Sequence, residues 1–160
     1  MKKHKICTIV VLALLFAVLA FMFSNSLEPV AISQAKSLTV MRHITPVLEL
    51  FVGKGNVTDN LVRKLAHFIE FISLGIGLAI FVILRFRTRF QNFVNCLSIG
   101  LAVAVTDESL QLLSGRGSMV KDILLDFASV TTGIVLVLLM HMFAKSVQMH
   151  RQHDLEQRSN

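Results

Sequence analysis

The sequence predicts an all-α membrane protein, four transmembrane helices in a bundle, and three observations predict it. Of the 160 residues, 54% are hydrophobic and only 16% are charged, against roughly 25% charged in soluble domains. Four segments hold the about 20 apolar residues that a helix needs to cross a bilayer. The net charge of +6 collects at segment ends, which reads as membrane topology rather than nucleic-acid binding. There is no Trp or Tyr, so the usual aromatic belt is missing. Twelve phenylalanines serve as lipid-facing or core bulk.

The chain reads as one membrane domain over residues 1–160, with spans at about 6–23, 64–84, 93–113 and 121–143. The first span is an apolar run broken only by Thr8, behind the basic start Lys2, Lys3 and Lys5. It ends in Ser24-Asn25-Ser26, small residues of the kind a signal peptidase accepts. Its core exceeds the about 7–15 residues of a secretory signal, which favours a retained anchor. Between the first and second spans, Ile32, Ala35, Leu38, Met41 and Ile44 approximate a helical stripe. With Ser33 as N-cap and Pro46 as the end, it reads as a short helix on the membrane surface. An irregular loop is the alternative there. Gly53 and Gly55 mark a turn before the second span. The tail 145–160 is polar and reads as a solvated helix extension or as disorder. Cys7 and Cys96 both lie in or beside apolar segments and read as buried free thiols rather than a disulfide or metal pair.

Positive residues favour the cytoplasm. Lys2, Lys3, Lys5, Arg85, Arg87, Arg89, Lys145, Arg151 and Arg158 fall on one side of a four-span chain. Lys36, Arg42, Lys54, Arg63, Lys64, Arg116 and Lys121 fall on the other, over longer sequence or within a polar cluster. The expectation is a multi-pass protein of the cytoplasmic membrane with both termini in the cytoplasm.

Charged groups in a bilayer cost about 2.5–3.5 kcal/mol each even on lenient insertion scales, yet the spans carry five acids. At about 100° per residue, Arg63, His67 and Glu70 share one face of the second span. Asp107, Gln111 and Ser114 share a face of the third, with Glu108 at its edge. Asp122, Asp126, Ser129 and Gly133 share a face of the fourth. Such stripes suit a bundle interior. At about 1.5 Å per residue, Glu70, Asp107, Glu108 and Asp126 all lie about 8–9 Å below one surface. Because the spans alternate in direction, the acids come early in the second and fourth but late in the third. Random placement rarely matches depths in this way. Gly75, Gly77, Gly100 and Gly133 suit close helix packing.

The cluster has two readings. One is an internally neutralised structural core, Arg63, Lys64, Arg116 and Lys121 set against Glu70, Asp107, Glu108, Asp122 and Asp126, with His67 able to make up the difference. The other is a site open to the outer surface. His67 with Glu70 suits a general acid–base pair. The histidine with Glu70, Glu108 and Asp126 suits a divalent metal, though the spacing is no specific metal signature. Arg116, in the turn Ser114-Gly115-Arg116-Gly117-Ser118 before the fourth span, suits an anionic head group.

Arg63-Lys64-x-Ala66-His67-Phe68-x-Glu70-Phe71-x-x-Leu74-Gly75, then Asp107-Glu108-x-x-Gln111, Gly115-Arg116, Asp122-x-x-x-Asp126 and Gly133, resembles the signatures of the VanZ-like family. The likeness runs in order over about residues 20–143. Leu112 stands where an aromatic usually follows the glutamine. The resemblance implies a bacterial integral membrane protein of the cell envelope, from a family named for resistance to the glycopeptide teicoplanin; it implies no agreed reaction.

The leading expectation is a pocket that binds or modifies an anionic, lipid-linked envelope component, such as a cell-wall precursor or an anionic lipid. In it His67, Glu70, Glu108 and Asp126 are the candidate catalytic residues. Arg63, Asp107, Gln111, Arg116 and Asp122 are the candidate substrate-binding residues. The alternative is a non-enzymatic scaffold or resistance factor with a salt-bridge core. A small transporter ranks last, because the cytoplasmic halves of the spans are almost purely apolar. The sequence sets neither the oligomeric state nor a cofactor beyond that candidate metal.

Overall fold

The protein is described here by a computed structural model covering residues 2–86, 89–117 and 119–159, with side chains described from 4 to 152. Five helices follow one another: α1 Lys2–Ser26, α2 Val30–Val52, α3 Asp59–Arg85, α4 Phe90–Leu113 and α5 Val120–Ser159. Four are long and apolar enough to cross a membrane: His4–Ser26, Asp59–Arg85, Phe90–Leu113 and Val120–Gln152. The chain is an all-α, multi-pass membrane protein.

Helix α3 is the axis of the bundle, touching all four other helices. Its start is fixed locally. The Thr58 side chain accepts a hydrogen bond from the Leu61 N–H at 3.2 Å, and Asp59 sits in the first turn, where a carboxylate complements the helix dipole. Phe71 and Leu74 of α3 pack with Val130 and Ile134 of α5, Met22 of α1 and Ala104 of α4 into the core. The α3–α5 seam is glycine-lined. A Cβ on Gly75 would lie 2.2 Å from the Val130 carbonyl oxygen, and one on Gly133 would lie 2.4 Å from that of Ile72. Only glycine permits those backbones to approach so closely. Large apolar side chains such as Phe16, Leu136, Leu139 and Phe143 face outward. That is the surface a helix bundle offers to lipid.

Between the first two spans the chain is helical, so the irregular-loop alternative falls. The helix is also longer than its stripe suggests. It begins at Val30 behind Pro29, without a side-chain cap from Ser33, and runs through Pro46. Proline's fixed φ fits a helix; inside one it removes a hydrogen bond and its ring crowds the carbonyl four residues back, which can bend a helix without ending it. The stop comes at Gly53, whose φ of 87° leaves the helical region and whose N–H returns to the Glu49 carbonyl; Gly55 follows at 78°. Helix α2 packs chiefly on α3, and Ser37 donates a hydrogen bond to Asp59 there. The polar tail continues α5 as helix to Ser159. Both thiols are free, but only Cys96 is buried, its Sγ 3.8 Å from the Leu78 carbonyl; Cys7 lies on an exposed face, since a one-sided helix leaves most of its apolar surface to lipid. Arg87 and Ser118, and the side chains of Lys2, Lys3, His153 and Arg158, lie outside the described residues.

Candidate functional site

The polar stripes of α3, α4 and α5 meet at one end of the bundle. His67 projects from α3, its ring stacked at 6.4 Å on Phe71 of the next turn. Its Nδ1 lies 3.6 Å from Asp107 Oδ2 on α4 and 4.0 Å from Glu70 Oε2 on its own helix. A ring nitrogen of His67 and carboxylate oxygens of Asp107 and Asp126 all lie within 4.8 Å of one another. Three helices therefore converge on one point.

Asp107 is held from two directions. Ser26 Oγ donates to its Oδ1 at 2.5 Å, and Gln111 Nε2 donates to its Oδ2 at 3.0 Å. The same Gln111 amide nitrogen donates to Glu108 Oε1 at 2.9 Å. The glutamine thus clamps two neighbouring acids that project about 100° apart on the helix. Glu70 receives Asn25 Nδ2 at 3.2 Å.

Asn25 and Ser26 are the residues sequence reasoning missed. They stand in the small polar triplet at the end of α1, which reads as a processing signal by composition. In the fold that triplet is at the level of the acids, and Ser26 is 1% exposed. Its position at the end of a span, where the other three spans carry their polar groups, was the available signal.

Arg116 also reaches α1. Its Nη2 donates to the Asn25 carbonyl, satisfying one of the orphan acceptors of a helix C-terminus. Burial pulls the guanidinium below its ordinary pKa, and the neighbouring Arg63 pulls the same way. Ser114 Oγ adds a hydrogen bond to the Ser26 carbonyl at 2.9 Å. The turn before α5 is therefore a strap over the end of α1.

The charges do not pair as their number suggests. Lys64 Nζ lies 3.0 Å from Asp122 Oδ1, and Lys121 is exposed. Arg63 makes no hydrogen bond or ion pair among the described residues. Asp107, Glu108 and Asp126 are 0%, 4% and 2% exposed, and none has a lysine or arginine within ion-pair distance among the described residues. Glu108 Oε2, Asp126 Oδ2 and His67 Nδ1 are buried without a hydrogen-bond partner. An internally neutralised lattice would pair these atoms.

Two cavities flank His67. One, about 310 Å³, lies between α1, α2 and α3, with Asn25, Arg63, Glu70 and Arg116 on its wall. The other, about 180 Å³, is bounded by Lys64, Glu108, Gln111, Asp122 and Asp126. Arg63 and His67 line both. All nine residues singled out from the sequence thus fall at this end of the bundle. Only His67, Asp107 and Asp126 share a common centre, while Glu70 is turned toward Asn25.

A membrane bundle with a buried histidine–carboxylate pocket at one end defines the class of protein. The chain belongs to the VanZ/LLP1 family, whose pattern it matches over residues 8–141. No curated protein and no solved structure matches it. The match takes in every residue of the pocket and ends within α5, before the polar tail.

Proposed function

We propose that this protein sits in the bacterial cytoplasmic membrane with both termini inside, and binds or modifies an anionic, lipid-linked envelope component in an outward-facing pocket. The carrying observation is Arg63, a half-buried guanidinium without a partner among the described residues, on the wall of two cavities and next to an imidazole and a group of buried acids. A guanidinium binds phosphate or carboxylate through a planar fork of donors. The imidazole between the cavities is the natural proton carrier for whatever the arginine holds. The strap role of Arg116 leaves Arg63 as the principal head-group contact. Asp122, paired with Lys64, shapes the second cavity's rim. A role in lowering teicoplanin susceptibility is the family-level expression of such binding.

The chain Ser26–Asp107–Gln111–Glu108 favours a second reading, a scaffold whose polar core joins α1 to α4. One experiment separates them. Arg63→Gln, His67→Gln and Glu70→Gln are expressed in a teicoplanin-sensitive bacterium at matched membrane abundance, and teicoplanin susceptibility is measured. Purified variants are exposed to phosphatidic acid or phosphatidylcholine and examined by native mass spectrometry. The proposal expects wild type to retain phosphatidic acid selectively, and folded variants to lose both this and the phenotype. Folded, abundant variants that keep both would refute it. Loss of abundance and phenotype together is the outcome of the scaffold.

A further inference from the structure

Among the described residues, the three most deeply buried acids have one ionisable partner, His67, and that partner's Nδ1 has no hydrogen bond. Taking a carboxylate out of water costs several kcal/mol even after relaxation. The Ser26 and Gln111 donors offset part of this for Asp107 and Glu108. They do nothing for Asp126 Oδ2 or Glu108 Oε2, which are buried and unpartnered. Positive charge would satisfy these atoms, near a point that three side chains from three helices, His67, Asp107 and Asp126, surround.

We infer that His67, Asp107 and Asp126 bind one divalent cation of the Zn²⁺ or Mn²⁺ type, with Glu108 as the acid placed to complete its shell. The inference takes the pocket proposed above as its setting. One imidazole nitrogen with two carboxylate oxygens is a mixed donor set. Imidazole suits zinc and its neighbours, while carboxylates suit manganese. Donors at about 2.1 Å from one ion stand roughly 3–4 Å apart. The trio already lies within 4.8 Å, so small side-chain rotations close the shell. Glu108 and Asp126 both line the 180 Å³ cavity, and the free oxygen of Glu108 is a second, separate mark of an unfilled ligand position. With Glu108 as fourth ligand, a five- or six-coordinate ion would still keep a position for a substrate oxygen or water. Arg63, on the same cavity wall, would hold an anionic group close to the ion. Cation binding releases whatever protons the ligands carry.

The test uses full-length, tag-free protein in detergent, stripped with EDTA, incubated with ZnCl₂ or MnCl₂, desalted and analysed by inductively coupled plasma mass spectrometry. Wild type is expected to retain about one equivalent of one of these metals and to unfold at a higher temperature with it. His67→Gln and Asp126→Asn are each expected to weaken retention at least tenfold while keeping the helical circular-dichroism signal. Glu49→Gln, an acid of α2 lining neither cavity, is expected to retain it. Stripped wild type that takes up neither metal overturns the inference, as does retention unchanged in folded Asp126→Asn and His67→Gln. Should wild type bind no metal while Arg63→Gln still abolishes phosphatidic acid retention, the cation fails and the binding reading stands. Stoichiometric metal in a protein whose Arg63→Gln variant keeps its lipid and phenotype upholds the cation and sinks that reading.

Discussion

Replacing Gly75 with alanine adds one methyl group and tests the seam that aligns the site. The new Cβ would lie 2.2 Å from the Val130 carbonyl oxygen. A carbon–oxygen contact needs about 3.3 Å, so α3 and α5 must part by about 1 Å. The obstacle is backbone, which cannot rotate away as a side chain would. Across the same seam Gly133 faces the Ile72 carbonyl at 2.4 Å, so sliding the helices meets a second stop. Overpacking costs about 1–3 kcal/mol, and a fixed backbone obstacle puts this case near the top of that range. Alanine recovers about 1 kcal/mol through helix propensity. The net loss is about 2 kcal/mol, roughly a thirtyfold fall in the folded-to-unfolded ratio. Thermal or SDS-titrated unfolding followed by circular dichroism measures it. Gly117→Ala is the control, because nothing lies within 4 Å of a Cβ there, and it should be nearly neutral. Gly75→Ala as stable as wild type would mean that α3 and α5 do not pack through these glycines, and would remove the basis for the His67–Asp126 alignment two turns above.

Ser26→Ala withdraws the 2.5 Å donor from Asp107 and leaves a fully buried acceptor short of one bond. A loss of about 1–3 kcal/mol is expected, read by the same unfolding assay. Lys64→Gln breaks the pair with Asp122, whose side chains are 36% and 20% exposed; such a pair is worth about 0–1 kcal/mol, so unfolding should barely move. With an even number of spans, reporters fused to the two termini should give the same sidedness, and both should report the cytoplasm; opposite signals would refute the four-span topology.

The spans were legible because a bilayer imposes length and apolarity on each helix separately, and both are written in contiguous sequence. The common depth of Glu70, Asp107 and Asp126 was legible for a related reason: rise per residue and alternating direction convert sequence position into height. Partners were not legible, because azimuth is relative. Helical spacing puts Asp107 and Glu108 about 100° apart, but only the placement of α1 and α3 against α4 decides that Asp107 meets Ser26 and His67. Asn25 and Ser26 carry no stripe of their own, since α1 is apolar almost to its end, and their role exists only once that end docks beside α4. Arg116 was visible as a cation near a pocket. That its Nη2 is engaged by the Asn25 carbonyl depends on the ring of contacts closed by the turn before α5.

The depth of the pocket also bears on whether the bundle carries anything across. Among the described residues, the buried polar side chains of the four spans are Ser26, Asp107, Glu108, Gln111, Asp126 and Ser129, all on the last turns of α1 and α4 or the first turns of α5. Beneath them Met22, Phe71, Leu74, Ala104 and Val130 close the bundle, each at most 1% exposed. The large cavity on the far side of that layer, about 520 Å³, is walled chiefly by apolar groups such as Leu15, Leu78 and Phe81. A coupled transporter needs ionisable groups reachable from both sides, and a charge entering this layer would meet neither water nor a partner. Exchange through one face is what the packing permits. In the proposed reading a head group would enter beside Arg63 while its lipid tail stayed against the apolar outer surface of the helices, and the glycine seam below would keep the pocket side chains in register.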